Sequence, residues 1–304
     1  MANPKKNAVL LLAHGSPDSV EQVPDFLLRV TGGRLLPKPV VEEVKHRYGL
    51  IGRSPLTELT LKQGELLARE LGLPVYVGMR NWKPFITDAV RAMTSDGIEH
   101  AVAICLAPQN SRTSVGLYRS ALTSNQTPFA IDFVESWHDH PLLIRAFAEK
   151  LSAGWGRACR EMRPSKVPVI FTSHSVPERT IAEGDPYEGQ AKETASLVAR
   201  EAALTPEDWA FAFQSQGMSA GAWLGPRVED TILGLKEKGH RSVFLQPIGF
   251  LCDHVEVLYD IDIGFKQFAE TQGMRLWRAK SLNDSPLLTA ALANIARLRL
   301  ATIL

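Results

Sequence analysis

The chain has 304 residues, of which 45% are apolar and 22% charged, and its formal net charge is +1. That is ordinary for a globular protein and long enough for two domains or one large one. A charge so near zero, without a Lys/Arg-rich run interleaved with aromatics, gives no field to draw nucleic acid or anionic lipid, so no nucleic-acid partner is expected.

Met1–Lys6 is polar and basic. The apolar run after it, Ala8–Ala13, is too short for an export signal or a membrane span. A cytoplasmic location is therefore expected, with peripheral membrane contact left open. Residues 8–13 read as a buried parallel strand running into His14-Gly-Ser-Pro17. Helical patterns follow at 40–51 and 56–71, then a strand at 75–79, a helix at 84–94 and a strand at 101–106. A helix at 113–122, a strand at 129–134 and a long amphipathic helix at 141–160 complete the first half. The polar, Pro-bearing stretch 163–168 is the best boundary, giving lobes of 1–160 and 161–304. The second half holds strands at 169–172, 209–213, 242–246 and 274–277, with helices at 186–203, 226–238 and 286–300 between and after them. The last helix could pack back on the first lobe. Alternating strands and helices predict parallel sheets with helices on both faces.

The two halves echo each other. One apolar strand runs into His14-Gly-Ser-Pro17 and another into His174-Ser-Val-Pro177, at an offset of 174 − 14 = 160. Each half then places a histidine at the carboxyl end of a strand, where open α/β sheets bind ligands. The stretch 246–262, QPIGFLCDHVEVLYDID, adds acid. Read as a helix opening at Asp253, it puts Asp253, Glu256 and Asp260 on one carboxylate stripe, with Asp253 as a candidate cap. His254, about 200° from Glu256 on such a helix, would point away. His46, His100, His138, His140 and His240 read as surface or supporting residues.

The usual signatures of hydride and phosphoryl transfer (GxGxxG, GxxxxGK[ST]) and HExxH are absent. The cysteines, Cys105, Cys159 and Cys252, form no CxxC pair and suit a reducing compartment; Cys252 reads as a buried structural thiol. What remains is two strand-end histidines and a row of carboxylates. Imidazole accepts protons near neutral pH and ligates first-row metals, and carboxylates stabilise a hard cation, so the site resembles one that handles a metal ion.

Beyond this reading, a set of motifs resembles the ferrochelatase family. The residues are Thr172–Pro177 (TSHSVP), Gly184–Tyr187 (GDPY), Gln214–Gln216 (QSQ), Trp223–Pro226 (WLGP), and Pro247–Phe250 (PIGF) with Asp253–Asp260 (DHVEVLYD). Arg47-Tyr48, Ser54–Leu56 and Leu106–Pro108 fit too, and the matches run in order over nearly the whole chain. The resemblance implies two Rossmann-like lobes, each with a parallel four-stranded sheet and flanking helices, and a cleft between them. It implies insertion of Fe²⁺ into a porphyrin, with release of two protons, in haem biosynthesis. His174 and Glu256 would be the catalytic pair and face the iron. Asp260 would relay the cation or protons. Arg47, Ser54 and Tyr118 would meet propionates, and Ser173 and Trp223 would complete the substrate pocket.

Departures from the family pattern sharpen the expectation. Some relatives carry a tyrosine where His14 stands, so His14 is expected to bind product haem axially. Asn81 replaces a histidine of some relatives, and Gly264 interrupts their longer acidic row. No permanently bound cofactor is expected, and no [2Fe–2S] cluster, because the cysteine-rich extension of animal-type members has no counterpart here. The expected partners are porphyrin and ferrous iron as substrates, with a transient iron donor or haem acceptor protein. The pattern leans to bacterial enzymes acting on coproporphyrin III over protoporphyrin IX. The alternatives are a cobalt or nickel tetrapyrrole chelatase and a non-catalytic haem- or porphyrin-binding protein of the same fold.

Overall fold

The computed structural model describes residues 6–217 and 221–302; Met1–Lys5, in the polar start of the chain, lie outside them. The chain forms two compact units. The first comprises the described parts of Met1–Pro108, Ser114–Trp137 and Asn283–Leu304, and the second Gln109–Thr113 and His138–Leu282.

In the first unit, β1 (Asn7–Ala13), β2 (Val75–Met79), β3 (His100–Cys105) and β4 (Ala130–Val134) form a parallel sheet in the order β2-β1-β3-β4. Residues 8–13 are buried on both faces of the sheet, which is why their sequence runs apolar without alternation. Ala8, Leu10 and Leu12 pack with α4 (Ile86–Ser95) and α5 (Val115–Thr123) through Val90, Met93, Val115 and Leu122. The helices α1 (Val23–Val30), α2 (Lys38–Ile51) and α3 (Leu56–Leu71) lie between β1 and β2 in sequence. The α1 helix was not expected; Pro24 sits in its first turn, where proline is at home.

The second unit repeats the plan. Its strands β5 (Val169–His174), β6 (Trp209–Gln214), β7 (Ser242–Pro247) and β8 (Arg275–Arg278) are parallel in the order β6-β5-β7-β8. The helices are α6 (Pro141–Met162), α7 (Glu178–Ala182), α8 (Tyr187–Glu201), α9 (Val228–Glu237), α10 (Val255–Leu258) and α11 (Lys266–Thr271). The lobe boundary expected at residue 160 falls inside α6. That helix belongs to the second unit because its apolar row packs there: a Cβ on Gly154 would lie 2.8 Å from the Phe244 ring. The final helix, α12 (Pro286–Ala301), belongs to the first unit. There it packs on α3, Gln63 donates to the Asn283 carbonyl at 2.6 Å, and Arg297 pairs with Glu70 at 2.9 Å.

The acidic stretch departs from a single helix. Asp253 and His254 are not helical, α10 has only four residues, and Asp260–Phe265 is a π-helical segment. The expected stripe is therefore broken. Asp253 accepts from Ser281 Oγ at 2.7 Å and pairs with Arg278 at 3.2 Å, rather than capping a helix. Asp262 holds the same guanidinium through two bonds of 2.6 and 2.7 Å. Burial works against the charge on Arg278, and the two carboxylates outweigh it.

Candidate active site

The carboxyl end of β5 carries His174. Its Nδ1 contacts the Ser175 carbonyl, and a carbonyl only accepts, so Nδ1 bears the proton. In the neutral ring, Nε2 then holds the lone pair. That atom lies 3.7 Å from Glu256 Oε1, so the histidine and carboxylate expected to act together do meet. Both side chains are about a third exposed, open to a ligand.

A further histidine shares this carboxylate. His254 Nε2 is 3.6 Å from Glu256 Oε2, and its Nδ1 is 3.0 Å from the Cys252 carbonyl. The expectation that His254 points away fails because it is extended (φ −162°) and not on the helix. Both rings thus commit their N–H to a backbone carbonyl and turn a lone pair toward one carboxylate. Acceptors facing acceptors repel unless a proton lies between them, so the triplet His174–Glu256–His254 is suited to take one up.

The supports come from neighbouring motifs. Tyr187 donates its hydroxyl to the His174 carbonyl at 2.9 Å. Burial, together with the nearby acids Glu256 and Asp185, pushes the Tyr187 hydroxyl up to about 12 against bonds that work the other way, so it stays a donor. Phe250 lies 6.4 Å from the His174 ring and 4.5 Å from that of His254. Trp223 lies 6.5 Å from His174 and rests on Gly217, where a Cβ would come within 2.7 Å of the indole. Gln214 links β5 to the acidic segment: Thr172 Oγ1 donates to its Oε1 at 2.6 Å, and its Nε2 donates to the Glu256 carbonyl at 3.1 Å. Asp260 is bonded by the Ser215 hydroxyl. Ser173 is fully buried, between the Tyr187 hydroxyl and Gly249. Its burial puts it behind the site rather than at its surface.

The equivalent strand end of the first unit is built differently. His14 is exposed, its ring nitrogens lie 3.2 and 3.3 Å from the Asn81 amide nitrogen, and its ring centre lies 5.9 Å from that of Phe26, edge to face. Gly15 (φ +86°) makes the turn, and a Cβ there would meet the Trp82 backbone at 2.8 Å. Tyr48 and Ser16 share a hydrogen bond of 3.1 Å beneath it. Arg47 pairs with Glu43 at 2.9 Å, while Ser54 and Tyr118 are buried. The Arg80 guanidinium lies 5.8 Å over the Tyr118 ring, and Arg29 lies 4.7 Å over Phe85. Both arginines line one cavity of about 390 Å³, and among the described residues neither pairs with a carboxylate. Among the described residues, too, no three His, Cys, Asp or Glu side chains close on one metal position.

Comparison with known proteins decides the family. The family model described as Ferrochelatase matches residues 6–300. The chain belongs to the ferrochelatase family. It is 54% identical to the ferrochelatase of Acidobacterium capsulatum, over 96% of this chain and 94% of that protein. It is 36% identical to the coproporphyrin III ferrochelatase of a Geobacillus species (strain WCH70), over 97% of this chain and 98% of that one. Among solved structures, SirB from Bacillus subtilis with Fe³⁺ aligns over 96% of this chain and 94% of its own, with a TM-score of 0.58 and 13% identity. At that identity it speaks for the two-sheet fold alone.

Sequence reading found His174 and Glu256 but turned His254 away from the carboxylate and gave Phe250 and Tyr187 no role of their own. His254 was hidden by the assumption of a continuous helix. Tyr187 was in view as the last residue of GDPY, but its role needs the fold that carries it under the His174 carbonyl.

Proposed function

We propose that this protein is a ferrochelatase that inserts Fe²⁺ into a porphyrin and releases two protons. One observation carries the reading beyond family membership: two imidazole lone pairs and one carboxylate converge within 3.7 Å, with both N–H groups already committed. In this reading His174 Nε2 accepts a pyrrole proton, and Glu256 stabilises the imidazolium that forms. His254 Nε2 carries the proton onward. The metal exchanges two N–H protons of the ring for two metal–nitrogen bonds, so charge balances as Fe²⁺ enters and two H⁺ leave. Trp223 and Phe250 supply apolar walls beside His174, and a pocket fitted to a bent ring would favour the transition state over the flat substrate. Asp260 meets the incoming cation, and His14 binds the iron of the product.

The substrate we propose is coproporphyrin III. Its four carboxylates suit the cations of the first unit: Arg47, and the Arg29 and Arg80 guanidinia that have no acid partner among the described residues. Burial pulls Arg80 below the ordinary arginine range, as expected of a cation that awaits an anion. Ser54 and Tyr118, both buried, would shape that wall, and Ser173 would back Tyr187. No resident cofactor enters the reaction. No disulfide joins Cys105, Cys159 and Cys252, which fits a reducing compartment such as the cytoplasm. No helix among the described residues is long and apolar enough to cross a membrane.

The test is anaerobic insertion of Fe²⁺ with coproporphyrin III and protoporphyrin IX side by side, repeated with Co²⁺ and Ni²⁺. Faster turnover of coproporphyrin III with Fe²⁺ is expected. Turnover only with Co²⁺ or Ni²⁺ would replace the reading with another chelatase. Porphyrin binding without insertion of any metal would make the protein a carrier.

A further inference from the structure

Ser215 departs from ordinary backbone next to the site. It follows β6 directly, yet its φ is +55°, in the left-handed region that residues other than Gly, Asn and Asp rarely occupy. Had the strand continued, Gln214 and Ser215 would point to opposite faces. The left-handed turn cancels that alternation. As a result both residues reach the same acidic segment: Gln214 Nε2 donates to the Glu256 carbonyl at 3.1 Å, and the Ser215 hydroxyl donates to Asp260 Oδ2. Gln214 is itself fixed to the sheet, through Thr172 Oγ1 at 2.6 Å and through its carbonyl, which accepts from Ser175 N at 2.8 Å. The segment it holds needs such ties. Between Glu256 and Asp260 the chain passes from four residues of α-helix into a π-helical segment, so helix geometry alone does not set their spacing.

We propose that Ser215 is a positioning residue for iron insertion. Its strained backbone and its hydroxyl fix the Asp260 carboxylate relative to Glu256, so that an arriving ferrous ion meets both at one set distance. Strain kept beside a site, where relief was available through glycine, points to a role that outweighs its cost. The inference rests on the reading of Asp260 given above.

The test uses the full chain with Ser215→Ala, Ser215→Gly, Ser215→Asn and Asp260→Asn, read by anaerobic insertion at varied Fe²⁺ and varied porphyrin and by thermal unfolding. Ser215→Ala should raise the apparent KM for Fe²⁺ roughly 10-fold, the worth of one hydrogen bond to a charged group, and leave KM for porphyrin within about 2-fold. Ser215→Gly should show the same kinetic loss while Tm rises by about 2 °C, because glycine relieves the backbone. Ser215→Asn keeps a donor and tolerates the left-handed region, so it should retain wild-type kinetics. Asp260→Asn should match Ser215→Ala, and the double variant should be no worse than Asp260→Asn. Wild-type iron kinetics in Ser215→Ala alongside a defective Asp260→Asn would overturn the positioning role and leave the function of Asp260 standing. Wild-type iron kinetics in Asp260→Asn would overturn the underlying reading, and the proposal with it. An equal rise of both KM values, or an Asn variant as slow as Ala, would reduce Ser215 to a structural residue and overturn the proposal.

Discussion

The two units share one plan and use it differently. In each, the strand bearing the site histidine pairs with the next two strands of its sheet, and the orders β2-β1-β3-β4 and β6-β5-β7-β8 superimpose term by term. Yet His14 ends β1 beside a neutral amide, whereas His174 ends β5 beside a carboxylate, and Tyr187 supports it from below. Arg29 and Arg80, which pair with no carboxylate among the described residues, fall in the first unit, and the convergent acid and imidazoles in the second. A repeated scaffold thus fixes where a strand-end residue stands, and the loops after the strands decide its chemistry. In the proposed reading the first unit serves anions and an axial ligand, the second protons and a cation.

Substitutions at the two histidines test that division most severely. His174→Ala should lower kcat by about 10²- to 10⁴-fold, the usual range for a lost acid–base group, with Tm nearly unchanged. His14→Ala should keep insertion within about 10-fold of wild type if, as proposed, it binds product and transfers no proton; the visible absorption of bound product haem should change instead. If the two variants lose turnover equally, the division fails.

A smaller, structural effect concerns the salt bridges of the second unit. Arg278→Ala leaves Asp253 and Asp262 without their shared cation, and with a guanidinium only 14% exposed the loss should be about 3 kcal/mol in urea unfolding. Arg47→Ala, at an exposed pair in the first unit, should cost under about 1 kcal/mol in the same measurement.

The smallest effect is one of pH. Tyr187 titrates near 10 when unfolded and at about 12 in the fold, so its protonated form is favoured by folding. That stability is fully present below the unfolded value and is lost as pH rises toward 12. In Tyr187→Phe the decline of stability between pH 10 and 12 should therefore be shallower than in the wild type. An unchanged slope would remove the buried hydroxyl from the support of His174.

The sequence by itself determined the sheets. Continuous apolar runs such as 8–13 and 169–172 mark strands buried on both faces, since each must exclude water on two sides. It also determined the pairing of His174 with Glu256, through motifs that resemble a family. Only the tertiary structure decided that His254 turns back to the same carboxylate and that the acidic stretch is no single helix, while it bore out the expectation that the last helix packs on the first unit. These rest on partners distant in sequence: Arg278 pairing with Asp253, Ser215 holding Asp260, and α3 receiving α12. Local periodicity reports which face of an element is apolar, but not which distant group competes for its polar side chains. That competition is settled only when the chain is packed.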